Sequence, residues 1–109
     1  MAEIVGQTGR DKSSTMKAVW SRRAIRHLVH LREHIEKDSF QNAALVVSRI
    51  LNAVELLQTH PEIGRPGRVV GTRELVVPQT PYIVPYRIHR DRMDLIAVLH
   101  GHQEWPAKR

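Results

Sequence analysis

Arg65, Arg68, Arg73 and Arg87 lie close together in the second half of the chain, with Tyr86 and His100 among and beyond them. Attack of an RNA 2′-hydroxyl on its neighbouring phosphate needs a base for the hydroxyl, cations for the phosphate and an acid for the leaving oxygen. Arg65, Arg73 and Arg87 could supply the cations. Tyr86 or His100 could exchange the protons, histidine being the side chain that titrates nearest neutral pH. The guanidiniums of Arg65, Arg68, Arg73 and Arg87 could equally form a contact surface for an acidic target, with no proton chemistry. Plain structural roles compete with both. Arg73 and Glu74 suit cross-strand pairing on a solvated sheet face, and Tyr86 suits a core aromatic with a hydrogen-bonded hydroxyl.

Other spacings carry less. His27, His30 and His34 share one helical face, and histidines four apart can ligate a metal. That face lies well away from the apolar stripe of its helix, and no carboxylate clearly completes a site, so these histidines are read as mostly solvated and no metal is expected. The glycine-rich stretch 64–71 lacks the Gly-Lys-Ser/Thr of a phosphate-binding loop, so no nucleotide or other cofactor is expected. The absence of cysteine excludes disulfides, thiolate zinc sites and a thiol nucleophile.

Composition bounds the partners. The chain of 109 residues is sized for one domain, with 41% hydrophobic and 26% charged residues. Seventeen Lys+Arg against 11 Asp+Glu give a net charge of +6. Such a surface attracts RNA, DNA or an acidic protein segment. No apolar run approaches the ~20 residues of a membrane span, and the N-terminus has no apolar signal segment, so a cytoplasmic protein without membrane contacts is expected.

The elements that must position the arginines follow from periodicity. Residues 1–15 are polar and aperiodic and read as a disordered tail, leaving 16–109 as the single domain, with Met16 an alternative start. A strand at Lys17–Trp20 precedes a helix from about Arg22 to Lys37, N-capped by Ser21, whose apolar stripe is Ala24, Leu28, Leu31 and Ile35. A second helix, Phe40 to Gln58, buries Phe40, Ala43, Val47, Ile50, Val54 and Leu57 and ends at His60-Pro61, because the residue before proline is pushed out of the α region. Three strands follow: Thr72–Val77, Tyr82–His89 and Met93–His100. The last is apolar on both faces and is expected to be central. Pro85 belongs at a bulge or with its nitrogen turned away from a neighbouring strand. Trp105 is expected to pack the C-terminus onto the sheet. The order βααβββ is an α+β fold, a helical hairpin packed on a small, mostly antiparallel sheet.

With that order in place, several segments resemble the RelE/ParE superfamily of toxins from type II toxin–antitoxin systems. Pro61-Glu62-Ile63-Gly64-Arg65-Pro66-Gly67-Arg68 followed by Gly71-Thr72-Arg73-Glu74-Leu75-Val76-Val77 resembles the family's loop and second strand. Tyr82-Ile83-Val84-Pro85-Tyr86-Arg87 resembles its third strand. Val98-Leu99-His100-Gly101, with Gln103 and Trp105-Pro106 behind it, is similar to the ending of ParE-like members. The resemblance spans Met16 to Pro106. It implies a cognate antitoxin, expected to contribute an acidic amphipathic C-terminal segment. It also implies one of two targets. RelE-like members cleave messenger RNA in the ribosome; ParE-like members poison DNA gyrase. RelE-like enzymes carry a basic residue on the final strand, whereas Asp94-Leu95-Ile96-Ala97-Val98-Leu99 carries none. The resemblance therefore implies a non-catalytic gyrase poison, with Arg65, Arg68, Arg73 and Arg87 as target contacts. The alternatives are a ribosome-dependent endoribonuclease using Arg65, Arg73, Arg87, Tyr86 and His100, and an inactive member that only binds its antitoxin.

Overall fold

The computed structural model describes residues 15–103 and Trp105. The tail expected over residues 1–15 therefore falls almost wholly outside the described residues. The element order is β1 (Lys17–Trp20), α1 (Arg22–Glu36), α2 (Phe40–Thr59), β2 (Arg65–Pro66), β3 (Arg73–Val76), β4 (Tyr82–Ile88), β5 (Arg92–Leu95) and β6 (Leu99–His100).

Both helices start on serine caps. The Ser21 Oγ accepts the Ala24 N–H at 3.0 Å, and the Ser39 Oγ accepts the Asn42 N–H at 3.0 Å, each satisfying a donor the helix itself leaves free. Ser21 is also tied to the sheet. Its N–H donates to Leu95 O at 3.1 Å and its hydroxyl to Ile96 O at 3.0 Å, which fixes the start of α1 over β5. The hairpin closes through Asp38 and Ser39, whose N–H groups bond Ile35 O.

The core lies between α2 and one face of the sheet. It joins Val46, Ile50, Ala53, Val54 and Leu57 to Leu75, Val77, Val84, Tyr86, Met93 and Leu95. Here the helix departs from expectation. Phe40 is 73% exposed, and Val46, rather than Val47, faces the sheet. Both valines lie within a turn of the same stripe, and the position of the sheet selects the phase. Of the expected stripe on α1 only Ala24 is fully buried; Leu28, Leu31 and Ile35 are half-buried against the core edge, because α1 packs chiefly on α2.

The strands run in the order β1-β5-β4-β3-β2, with β6 pairing the start of β4. Among the described residues only β1–β5 is parallel; the other pairs are antiparallel. β1 is the edge strand of the described sheet, and the end of α2 runs against its outer side. The Met16 N–H bonds Gln58 O at 2.7 Å, and the Ala18 N–H bonds Gln58 Oε1 at 2.9 Å. The end of α2 thus blocks the edge from pairing with another chain.

The expected strand Met93–His100 is interrupted. Tyr86 pairs Leu95 and Ile83 pairs Leu99, so Val84 and Pro85 on β4 face Ile96, Ala97 and Val98. That extra residue is a bulge. Pro85, whose carbonyl accepts the Ile96 N–H at 2.8 Å, sits opposite it, where a missing ladder donor costs least. β2, two residues long, lies within the stretch read from sequence as loop. Trp105 packs with Ile83, Ala97 and Leu99, as expected of it.

Candidate functional site

Side chains alternate across a strand, so the register assigns every candidate to a face. Tyr86 pairs Arg73 on one side and Leu95 on the other, and Leu75 pairs Val84. Tyr86, Leu95, Leu75 and Val84 belong to the core beneath the helices, so Arg73 shares the helix-covered face. Glu74, Pro85, Arg87 and Asp94 alternate to the open face, and Arg65, opposite Glu74, joins them. His100 pairs Tyr82 and meets it ring edge to ring at 5.9 Å between centroids, on the helix side.

The open face is organised by a buried carboxylate. Glu74 makes the cross-strand pair expected of it, with Arg65, but at 1% exposure it does so in a buried position, which corrects the expectation of a solvated sheet face. Its Oε1 accepts Arg65 Nη2 at 3.1 Å; its Oε2 accepts the Arg68 main-chain N–H at 3.0 Å and faces Arg68 Nε at 3.3 Å. The Arg68 guanidinium also reaches the carbonyls of Gln103, at 3.3 Å, and Gly101, at 3.4 Å. Arg65 and Arg68 are therefore half-committed. They neutralise Glu74 and, through Arg68, hold the C-terminal turn, while their outer surfaces remain in water. A charge as costly to bury as a carboxylate persists only with such partners.

Arg87 differs. The residue across from it on β5 is Asp94. That carboxylate is taken by Arg92, Nε to Oδ1 at 3.0 Å, and by His89, Nε2 to Oδ2 at 3.0 Å. Their bonding, Arg92 first, holds the Asp94 carboxyl below its ordinary range. The Arg87 guanidinium instead lies against Gly71, whose φ is 85°. That φ is what calls for glycine; a Cβ there would come within 2.7 Å of Arg87 Nη1, which the flexible arginine could avoid only by moving its guanidinium.

On the helix side the other candidates are spent on structure. Arg73 donates to Gly64 O at 2.6 Å and Glu62 O at 3.1 Å, pinning the chain as it leaves α2. Tyr86 is fully buried; its hydroxyl donates to Pro61 O at 2.5 Å and accepts the Gly64 N–H at 3.0 Å. Burial pushes its pKa up, away from any role as a base at neutral pH. The ring also explains Gly64, where a Cβ would lie 2.6 Å from the Tyr86 ring and hydroxyl. Arg65, Arg68 and Arg87 are thus brought together, whereas Arg73, Tyr86 and His100 are separated from them by the thickness of the sheet.

His30 and His34 are exposed, in line with histidines that are mostly solvated, and His27 is the exception. His27 is half-buried and its Nδ1 accepts the Val98 N–H at 3.2 Å, docking the bulge onto α1. Among the described residues no cluster of histidine, cysteine or acidic side chains has the geometry to hold a metal. Burial, and then Arg23, Arg26 and His30, lower the His27 pKa. His34, Tyr82 and His100 line the same groove and supply no carboxylate. The unfolded chain therefore takes up the proton first, and stability falls as pH drops through about 6.5 and below. Melting curves from pH 8 to 5 should show this fall, and His27→Gln should flatten part of it. An unchanged profile in that variant would show that His27 is not the group whose protonation causes the fall.

No helix among the described residues is long and apolar enough to cross a membrane. Comparison with known proteins agrees with the geometry. Residues 18–105 match the family model described as "ParE toxin of type II toxin-antitoxin system, parDE". A protein of Sinorhizobium fredii (strain NBRC 101917 / NGR234) named "Putative toxin Y4kP" is 51% identical over 87 residues, covering 80% of this chain and 90% of the relative. The fold resembles a solved chain titled "Chromosomal ParDE TA system from P. aeruginosa" with a TM-score of 0.72 at 24% identity, covering 80% of this chain and 97% of that one. The chain belongs to the ParE toxin family of type II toxin–antitoxin systems.

Proposed function

We propose that this toxin arrests growth without catalysis, by binding DNA gyrase through the open face of its sheet, and that an acidic amphipathic antitoxin segment neutralises it. The observation that carries this reading is the division of the candidate residues between the faces. A phosphate held by Arg65 and Arg87 would have Tyr86 and His100 on the far side of the sheet. Proton transfer in a transition state needs the acid or base within hydrogen-bond reach, or one water away. A contact surface has no such requirement. Membership of the ParE family supports the same choice.

The antitoxin has a matching surface on the helical side. Phe40, Leu51 and Leu56 are 73%, 45% and 54% exposed on α2, and a groove of about 310 Å³ runs from Ala53 and Leu56 to Ile63 and Val76. Apolar anchors of a segment that folds on binding would fill it, with carboxylates against the surrounding arginines.

Growth assays after induction without antitoxin test the target face. Arg87→Glu should reduce toxicity in graded fashion, and His100→Ala should leave it largely intact. Tyr86→Phe should retain toxicity too, at a stability cost of about 1–3 kcal/mol from the unpaired Gly64 N–H. Abolition of toxicity by His100→Ala, with the melting temperature unchanged, would revive the endoribonuclease reading.

A further inference from the structure

The hairpin joining β2 to β3 is built with unusual care for a loop that covers no core. Gly67 N–H bonds Thr72 O at 2.8 Å, and the Thr72 N–H and Oγ1 bond Val69 O at 3.1 and 2.6 Å. The Arg68 N–H is held by Glu74, and the Arg68 side chain by the C-terminal turn. The bond from Thr72 N–H to Val69 O closes a turn whose third residue is Gly71 at φ 85°, as a type II turn requires. At the tip of this braced turn stands Val70, 93% exposed, a β-branched apolar residue where polar turn-formers are usual. A single exposed valine is ordinary on a surface. One held at the apex of a pre-ordered loop, with a guanidinium at its base that has no acceptor among the described residues, is a prepared contact, because ordering costs have been met before binding.

We propose that the tip Val69–Gly71, with Arg87 beneath it, is the contact through which the toxin grips its protein target. Val70 enters an apolar pocket, and Arg87 pairs with a carboxylate on the pocket's rim. Asp94 does not compete for Arg87, since Arg92 and His89 hold it. Nucleic acid fits less well, because a phosphate surface offers no pocket for valine. The antitoxin fits less well because the exposed apolar side chains suited to it lie on α2, on the other side of the sheet. The inference rests on the reading that the chain acts as a toxin on a protein, and it adds the residues that do the gripping.

Val70→Asp and Val70→Ser separate the two. Both should melt with the wild type and bind the cognate antitoxin with unchanged affinity, since Val70 touches no core. Val70→Asp should need at least about tenfold more toxin for the same growth arrest, and the same excess to inhibit purified gyrase, as truncation of an interface anchor does. Val70→Ser should fall between. Val70→Asp as toxic as the wild type would overturn the proposal, as would loss of antitoxin binding with the melting temperature intact, which would give the tip to the antitoxin. A wild type that arrests growth without touching gyrase would sink the gyrase reading alone, since the variants are scored on growth as well. A wild type that arrests nothing would sink the toxin reading itself.

Discussion

Replacing both Arg65 and Arg68 with methionine should destabilise the protein more than Glu74→Gln does, although all three residues belong to one network. The asymmetry is one of burial. Glu74 is 1% exposed, while the side chains of Arg65 and Arg68 are 53% and 38% exposed. Removing the carboxylate frees two guanidiniums that water can reach, and the cost is the lost hydrogen bonds, about 1–3 kcal/mol. Removing the arginines strands a carboxylate in the sheet, which costs about 3–5 kcal/mol. In a domain of this size the double variant should melt on the order of 10 °C or more below the wild type. Equal losses, or a larger loss in Glu74→Gln, would show that the arginines are dispensable to Glu74. The result bears on function as well. Weakened toxicity on charge reversal at Arg65 or Arg68 has two causes, a lost target contact and a loosened loop. Arg87, with no acceptor among the described residues, is the cleaner probe.

Val54→Asp should unfold the chain outright. Val54 is 5% exposed within the cluster that joins Ile50 and Leu57 to the sheet. A carboxylate there has no cation to meet, and its cost of several kcal/mol is comparable with the whole stability of a small domain. Phe40→Ser is the matched control. At 73% exposure Phe40 carries little of the fold, and its loss should change stability by less than about 0.5 kcal/mol. A soluble, cooperatively melting Val54→Asp protein would contradict the layered core, and a severe effect of Phe40→Ser would restore the sequence-based expectation that Phe40 is buried.

These contrasts show where sequence reasoning reaches. The helices were legible to within a residue because their boundaries are local chemistry: Ser21 as a cap, His60-Pro61 as a stop. The phase of α2 was not, since Val46 and Val47 lie on neighbouring parts of one broad stripe and only the sheet chooses between them. Pro85 announced a bulge, but its partner, the break at Ile96–Val98, depends on the register of a strand distant in sequence. The same limit hid the division of the candidate site. Arg73 and Glu74 must point oppositely, but which of them joins Arg87 depends on a pairing that turn residues alone do not specify. Val70 and the buried state of Glu74 gave no signal of their own, because exposure in a loop and burial under two arginines are tertiary facts.

The most direct test is purified wild-type protein added in parallel to gyrase with supercoiled plasmid and to translating ribosomes. Loss of gyrase activity with accumulation of cleaved DNA, reversed by the cognate antitoxin, is expected, with messages left whole. Messages cut at the ribosome, and gyrase untouched at the same concentrations, would contradict a non-catalytic toxin acting through the open face.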